Sequence, residues 1–285
     1  LRRDLVTLAR PRLATLGLAM VALSYVIAGP SAPSLLTFGW LMLGSLLALA
    51  GASALNQALE RGPDAQMRRT AQRPVPAGRV SPRLAIGYGL ALSLSGFVIL
   101  GWFVNPLTAL CAVAGWLIYL FIYTPMKRRS SLSTVVGAGP GAMPVLMGWA
   151  AARNSLDSDA WTLFFILFLW QLPHFLAIAW MYRADYARAG FQMLPVVSPD
   201  GASTARQVVG YCLALVPVSL LPTLVDMAGP LYFAGALALG LAYLGYGFQM
   251  GRSRSGGAAR RLLKVSVIYL PLLFILLAVD RSYAA

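Results

Sequence analysis

Polar and apolar positions along this chain fall into long blocks; they do not alternate with the period of a strand or of a half-buried helix. Uncharged, mainly apolar runs cover residues 13–29, 35–59, 84–126, 130–152, 160–182, 207–225, 227–251 and 265–279. A membrane-crossing helix needs about 20 such residues. Lipid offers no water to an open strand edge, so helices are the expected elements. The run 84–126 is too long for one crossing. Asn105-Pro106 divides it, because proline excludes its predecessor from the helical region. The last run is short, but Leu262 and Leu263 extend it behind Lys264, whose long side chain can snorkel to the interface. Eight runs, one of them divided, predict an all-α polytopic membrane protein with nine transmembrane helices.

Composition agrees with this and excludes other classes. The chain is 59% hydrophobic and 11% charged, against about 45–50% and 25% in soluble domains. A soluble globular protein and a disordered one are both ruled out. The net charge of +14 would point to nucleic acid in a soluble protein. Here the charges mark orientation. With the N-terminus in the cytoplasm and the C-terminus outside, all of the 23 Lys and Arg residues except Arg153 and Arg281 fall on the inner side, as the positive-inside rule requires. No nucleic-acid partner is expected, and the bilayer is. No small-residue cleavage pattern follows the first apolar run, so a removable leader is not expected. Cys111 and Cys212 read as small core residues, since their spacing fits neither a disulfide framework nor a metal site.

Two inner loops, 61–83 and 183–206, are much longer than the outer ones and follow the second and sixth helices. Corresponding positions in two halves predict a pseudo-repeat with a site between them. The two loops are expected to cap an active site in a single domain spanning 1–285.

Chemistry-bearing residues concentrate beside these loops. Asn56, Glu60 and Asp64 are spaced i, i+4, i+8. Asn56 and Glu60 share a helix face, and Asp64 joins them if the helix runs on, although Gly62-Pro63 makes a turn the expectation there. Three hard oxygen ligands suit Mg²⁺, which is usually shared with substrate phosphates. A polar helix end at the membrane surface explains Glu60 and Asp64 equally well; Asn56 lies deeper, where a polar group points to function. Arg69 and Arg73 follow at once, and arginine grips phosphate bidentately. Lys127 and Arg128 lie at the inner end of the fourth helix, where a phosphate role and an orientation role are both open. The segment Gly137–Pro144 is rich in glycine and proline, and close helix packing is the first reading.

His174 is the only histidine. It lies in the sixth helix, eight residues before Tyr182. An ionisable residue inside a membrane helix is a functional candidate, and a neutral imidazole can ligate haem iron or hold a substrate group. Asp185 sits at the inner mouth of that helix, where it could complete a second metal site. Tyr119, Tyr123, Trp149 and Tyr182 are aromatic candidates for stabilising a cation.

Together these motifs resemble the UbiA-type intramembrane prenyltransferases. Asn56, Glu60 and Asp64 match that family's Asn-x-x-x-Asp/Glu-x-x-x-Asp signature, and Met67, Arg69, Thr70, Arg73 and Pro74 match its extension. The stretch from Trp170 to Pro195, with Trp-Gln-Leu-Pro-His-Phe and Tyr-Arg-Ala-Asp-Tyr, looks like the branch of the family that makes haem O. The resemblance implies a helical bundle with a central cavity open to the cytoplasmic side. It also implies a Mg²⁺-dependent transfer of farnesyl from farnesyl diphosphate to a vinyl group of haem B, with addition of water. Asn56, Glu60 and Asp64 would be metal-binding and, with Asp185, catalytic. Arg69, Arg73, Lys127 and Arg128 would hold diphosphate, and His174 would contact haem. The bacterial inner membrane would be its location, and a haem A synthase or a terminal oxidase its assembly partner. The family's second acid-rich motif is incomplete here, with Ala189 where another acid is expected. Two rivals stay open: a relative that prenylates an aromatic quinone precursor, and a secondary transporter.

Overall fold

The structure is a computed structural model that describes residues 1–29 and 34–284, without the side chains of Arg12 and of residues 281–284. The orientation charges Arg12 and Arg281 therefore lie outside the described side chains. Among the described residues every regular element is a helix. Among these residues eight helices are long and apolar enough to cross a bilayer, and the number is nine, as the hydropathy blocks predict, when a bent pair at the N-terminus is counted as one crossing.

The bent pair is α1 (Arg2–Leu8) and α2 (Pro11–Ala28). They are separated at Arg10, whose φ of 47° is left-handed. Next come α3 (Leu35–Leu59), the short α4 (Arg61–Gln66) and α5 (Pro82–Phe103). The following crossing has three parts: α6 (Pro106–Leu117), a π-helix (Ile118–Tyr123) and α7 (Thr124–Met126). Asn105-Pro106 divides the long run as expected. The Asn105 carboxamide oxygen accepts from the Thr108 N–H at 2.8 Å and so starts α6, and proline fits a helix's first position because no N–H is needed there. Ser34 and Ser81 cap α3 and α5 in the same manner, and Asp157 caps α9 (Ser158–Met181). The other elements are α8 (Ser133–Arg153), α10 (Arg183–Arg188), α11 (Leu194–Val197), α12 (Ala202–Leu224), α13 (Pro230–Ser253) and α14 (Gly256–Ala284). The last helix starts earlier than its apolar run, and Arg260, Arg261 and Lys264 lie in its first turns.

The chain divides into two compact units. The first comprises Leu1–Leu156 with Asp185–Gln192. Its tightest seam joins α3 and α5 through small residues. A Cβ on Gly51 would meet Ser93 Oγ at 2.2 Å, and one on Gly96 would meet the Gly44 carbonyl oxygen at 2.7 Å. Backbones that approach this closely gain dispersion contacts that lipid cannot replace. Gly148 performs the same role where α8 crosses α2 at Val21.

The second unit comprises Asp157–Ala184 with Met193–Ala285. In it α9, α12, α13 and α14 pack on one another around the fully buried Tyr232, Tyr243 and Tyr269. Asp280 of α14 accepts the Tyr232 N–H at 2.9 Å and so satisfies a free donor at the start of α13. Cys111 and Cys212 are buried free thiols, as expected. Large apolar side chains such as Leu94, Val98, Trp102 and Leu110 are exposed along their helices, which is the surface a bilayer covers.

Candidate active site

The acidic signature lies in the first unit, where α3 ends. Pro63 has no N–H, and its ring crowds the carbonyl of residue 59, so α3 stops at Leu59 and α4 begins at Arg61. The helical spacing nonetheless persists. The Glu60 N–H donates to the Asn56 carbonyl at 2.9 Å, and the Asp64 N–H to the Glu60 carbonyl at 2.8 Å. The turn expected at Gly62-Pro63 is therefore replaced by a short helix in which Pro63 occupies an early, tolerant position. Asn56, Glu60 and Asp64 are all buried, at 1%, 6% and 1% exposure.

Each of these groups meets a partner from another segment. The Asn56 amide nitrogen donates to Thr124 Oγ1 at 3.1 Å, and Thr124 Oγ1 donates to the Tyr119 carbonyl at 2.8 Å. That carbonyl lies five residues back, at the π-helix. The threonine proton is thus spent, so Thr124 can only accept from Asn56, and the Asn56 Oδ1 is turned away from it. Glu60 forms an ion pair with Lys127. Asp64 Oδ2 accepts from the Arg73 guanidinium at 2.6 Å, while its Oδ1 is buried with no hydrogen-bond partner.

The loop that follows is folded under. Met67, Thr70, Val75 and Val80 are buried, and Val75 and Val80 pack with Leu8, Ala54, Ala58 and Ala85. Thr70 Oγ1 donates to the Asp64 carbonyl at 2.8 Å. These anchors hold Arg73 over Asp64. Burial and the nearby Arg10 guanidinium lower the Arg73 pKa, and Asp64 opposes them.

Sequence reasoning missed Arg10 and Gln57. Arg10 counted only as an orientation charge, yet it reaches the Arg73 neighbourhood with Nη2 buried and without a hydrogen-bond partner. Gln57 donates to the Leu8 carbonyl at 2.8 Å and ties the end of α1 to α3. A polar Gln one position after Asn56 in an apolar helix was the available signal. Thr124 was also missed.

The two basic residues at positions 127 and 128 are separated. Lys127 is buried, with Nζ 4.7 Å from the Tyr123 ring centroid and 5.5 Å from that of Phe191. Its carbonyl accepts from the Gln192 N–H at 2.7 Å. Arg128 is exposed on the turn. Arg69 is exposed as well; it donates to Tyr186 Oη at 2.6 Å and lies over that ring.

Asp185 is not gathered with Glu60 and Asp64. Its carboxylate pairs with Arg188 of the same short helix, and among the described residues no three His, Cys, Asp or Glu side chains come together to hold a metal. What remains is two carboxylates and an amide oxygen. That donor set is too small to cage an ion and suits a Mg²⁺ shared with phosphate oxygens.

Of the aromatic candidates, Tyr119 and Tyr123 stack on each other within the π-helix, with centroids 5.6 Å apart. Tyr123 lies against α8, where a Cβ on Gly137 would meet its ring at 2.5 Å. The glycine-rich segment therefore makes room for a ring of the site. Trp149 is a core residue, and Tyr182 is exposed. His174 belongs to the second unit. Its Nδ1 lies 2.7 Å from Ser266 Oγ, and its ring stacks on Trp170.

Buried acids interleaved with cations at the end of a membrane-length helix fit a metal-bound diphosphate, and the class of protein is that of the intramembrane prenyltransferases. The profile of the UbiA prenyltransferase family matches residues 16–275, so the chain belongs to that family. It is 49% identical over 288 residues to protoheme IX farnesyltransferase of Solibacter usitatus (strain Ellin6076), covering 98% of this chain and 99% of that one. It is 46% identical over 277 residues to protoheme IX farnesyltransferase of Salinibacter ruber (strain DSM 13855 / M31), covering 97% and 98%. The fold matches the solved structure of a digeranylgeranylglyceryl phosphate synthase with a TM-score of 0.82 at 15% identity, covering 98% of each chain. It also matches a UbiA homolog from Archaeoglobus fulgidus bound to GPP and Mg²⁺, with a TM-score of 0.67 at 16% identity, covering 96% of this chain and 99% of that one.

Proposed function

We propose that this chain, acting as one transmembrane domain, transfers the farnesyl group of farnesyl diphosphate to a vinyl group of haem B. The C1–oxygen bond of farnesyl diphosphate breaks, and diphosphate leaves. Farnesyl C1 bonds to the outer vinyl carbon. Water adds at the inner carbon and gives up a proton, which yields the hydroxyethylfarnesyl group of haem O. The relatives' shared name supports the choice of substrates. The single observation that carries the chemistry is the pairing of two buried carboxylates with cations, Glu60 with Lys127 of a distant segment and Asp64 with Arg73 of the loop that follows it.

A Mg²⁺–diphosphate brings the same two kinds of charge. Each carboxylate can therefore exchange its cation for the metal, and each cation its carboxylate for a phosphate oxygen, without leaving a bare buried charge. Asn56, Glu60 and Asp64 would hold Mg²⁺, which supplies positive charge for a leaving diphosphate. Lys127, Arg73, Arg69 and Arg10 would bind phosphate oxygens and stabilise the departing charge more than the ground state. Arg128, exposed on the turn, would act in orientation or at the rim. The stacked Tyr119 and Tyr123 would face the allylic cation, whose charge aromatic faces stabilise. Asp185, paired with Arg188, would order the 185–192 segment that carries Tyr186 and Phe191. His174 would contact the haem.

The basic helix ends would lie in the cytoplasm of a bacterial cell, with the N-terminus inside and the C-terminus outside the inner membrane. Haem O would pass to a haem A synthase or a terminal oxidase. The deciding experiment supplies purified protein with Mg²⁺, haem B and farnesyl diphosphate and weighs the product. The expected mass is haem B plus farnesyl plus hydroxyl. Product only from an aromatic quinone precursor, or no covalent product beside measurable transport, would replace this reading with one of its rivals.

A further inference from the structure

In the second unit, Ser266 of α14 is fully buried and faces His174 of α9. Ser266 Oγ lies 2.7 Å from the Leu263 carbonyl and 2.7 Å from His174 Nδ1. A serine has one proton for these two short contacts. If that proton pointed at Nδ1, Oγ and the Leu263 carbonyl would face each other at 2.7 Å with no proton between them, two partial negative charges in a low-dielectric core. If it goes to the carbonyl, Oγ accepts from an Nδ1–H and both contacts are hydrogen bonds. The Trp170 indole N–H also donates to the Ser266 carbonyl at 2.8 Å, and the Trp170 ring stacks on the imidazole at 5.1 Å. Ser266 and Trp170 together fix both the plane and the proton of the ring.

We infer that Ser266 is a positioning residue that holds His174 as the Nδ1–H tautomer, so that Nε2 carries the lone pair and is the atom presented to haem iron. The hydrogen bond made by one ring nitrogen sets which nitrogen can bind a metal. This rests on haem B being the acceptor substrate, as proposed above.

The chain contains a single histidine, so protein labelled with ¹⁵N-histidine gives one imidazole signal pair and needs no further assignment. Wild type in nanodiscs is expected to show the proton on Nδ1. Ser266→Ala should move it, wholly or in part, to Nε2, and Ser266→Thr should restore it. Ferric haem B should broaden the wild-type Nε2 signal, and its affinity should fall about 10–100-fold in Ser266→Ala, the range for loss of an orienting hydrogen bond. A wild-type proton on Nε2, or a tautomer unchanged in Ser266→Ala, overturns the inference. So does an Nε2 signal indifferent to haem in a protein that still makes haem O. Absence of any haem product from wild type instead overturns the substrate reading, whichever tautomer is found.

Discussion

The amide of Asn56 is oriented by the hydroxyl of Thr124, which can only accept because its own proton goes to the Tyr119 carbonyl. That carbonyl is within reach because the crossing widens into a π-helix there, and such turns recur at functional sites. Thr124→Val keeps the shape and removes the acceptor. The variant should need about 10–100-fold more Mg²⁺ for half-maximal haem O formation, while Thr124→Ser should behave like wild type. A Mg²⁺ titration of the three proteins tests this; equal curves would remove Thr124 from the site.

Lys127 and Arg128 are neighbours in sequence but differ in burial. Lys127→Met should lower kcat/KM for farnesyl diphosphate by about 10²-fold or more, the cost of losing a preorganised charge at a leaving group. Arg128→Met should stay within about 3-fold, in the range of surface charges. Steady-state kinetics on both variants decides the point.

Asp64 is almost wholly buried, and Arg73 is one-quarter exposed. Arg73→Ala leaves a carboxylate buried without its cation and should lower the melting temperature in detergent. Adding Asp64→Asn should recover most of that loss and none of the activity. Asp64→Ala alone should abolish haem O formation; a variant that still made it with unchanged Mg²⁺ dependence would remove the metal proposal.

Gly137 and Gly139 look equivalent in sequence. A Cβ at Gly137 would press on the Tyr123 ring, whereas one at Gly139 meets nothing within 4 Å. Gly137→Ala should therefore reduce activity by displacing Tyr123, and Gly139→Ala should not. Parallel activity and thermal-unfolding measurements separate a displaced ring from a general loss of packing.

The sequence by itself determined the all-helical membrane class and the division at Asn105-Pro106. Those properties follow from local hydropathy and from proline's covalent geometry. It also placed Asn56 and Glu60 on one face, because helical periodicity is local; that the spacing runs on to Asp64 past Pro63, where a turn was the expectation, came from the structure. Only the tertiary structure decided what those groups touch. Thr124 stands 68 residues from Asn56, and Ser266 stands 92 residues from His174. No local pattern encodes such pairings. Burial likewise distinguished Lys127 from Arg128. Charge and residue type are written along the chain, whereas the partner that gives each charge its meaning is set by which helices pack together.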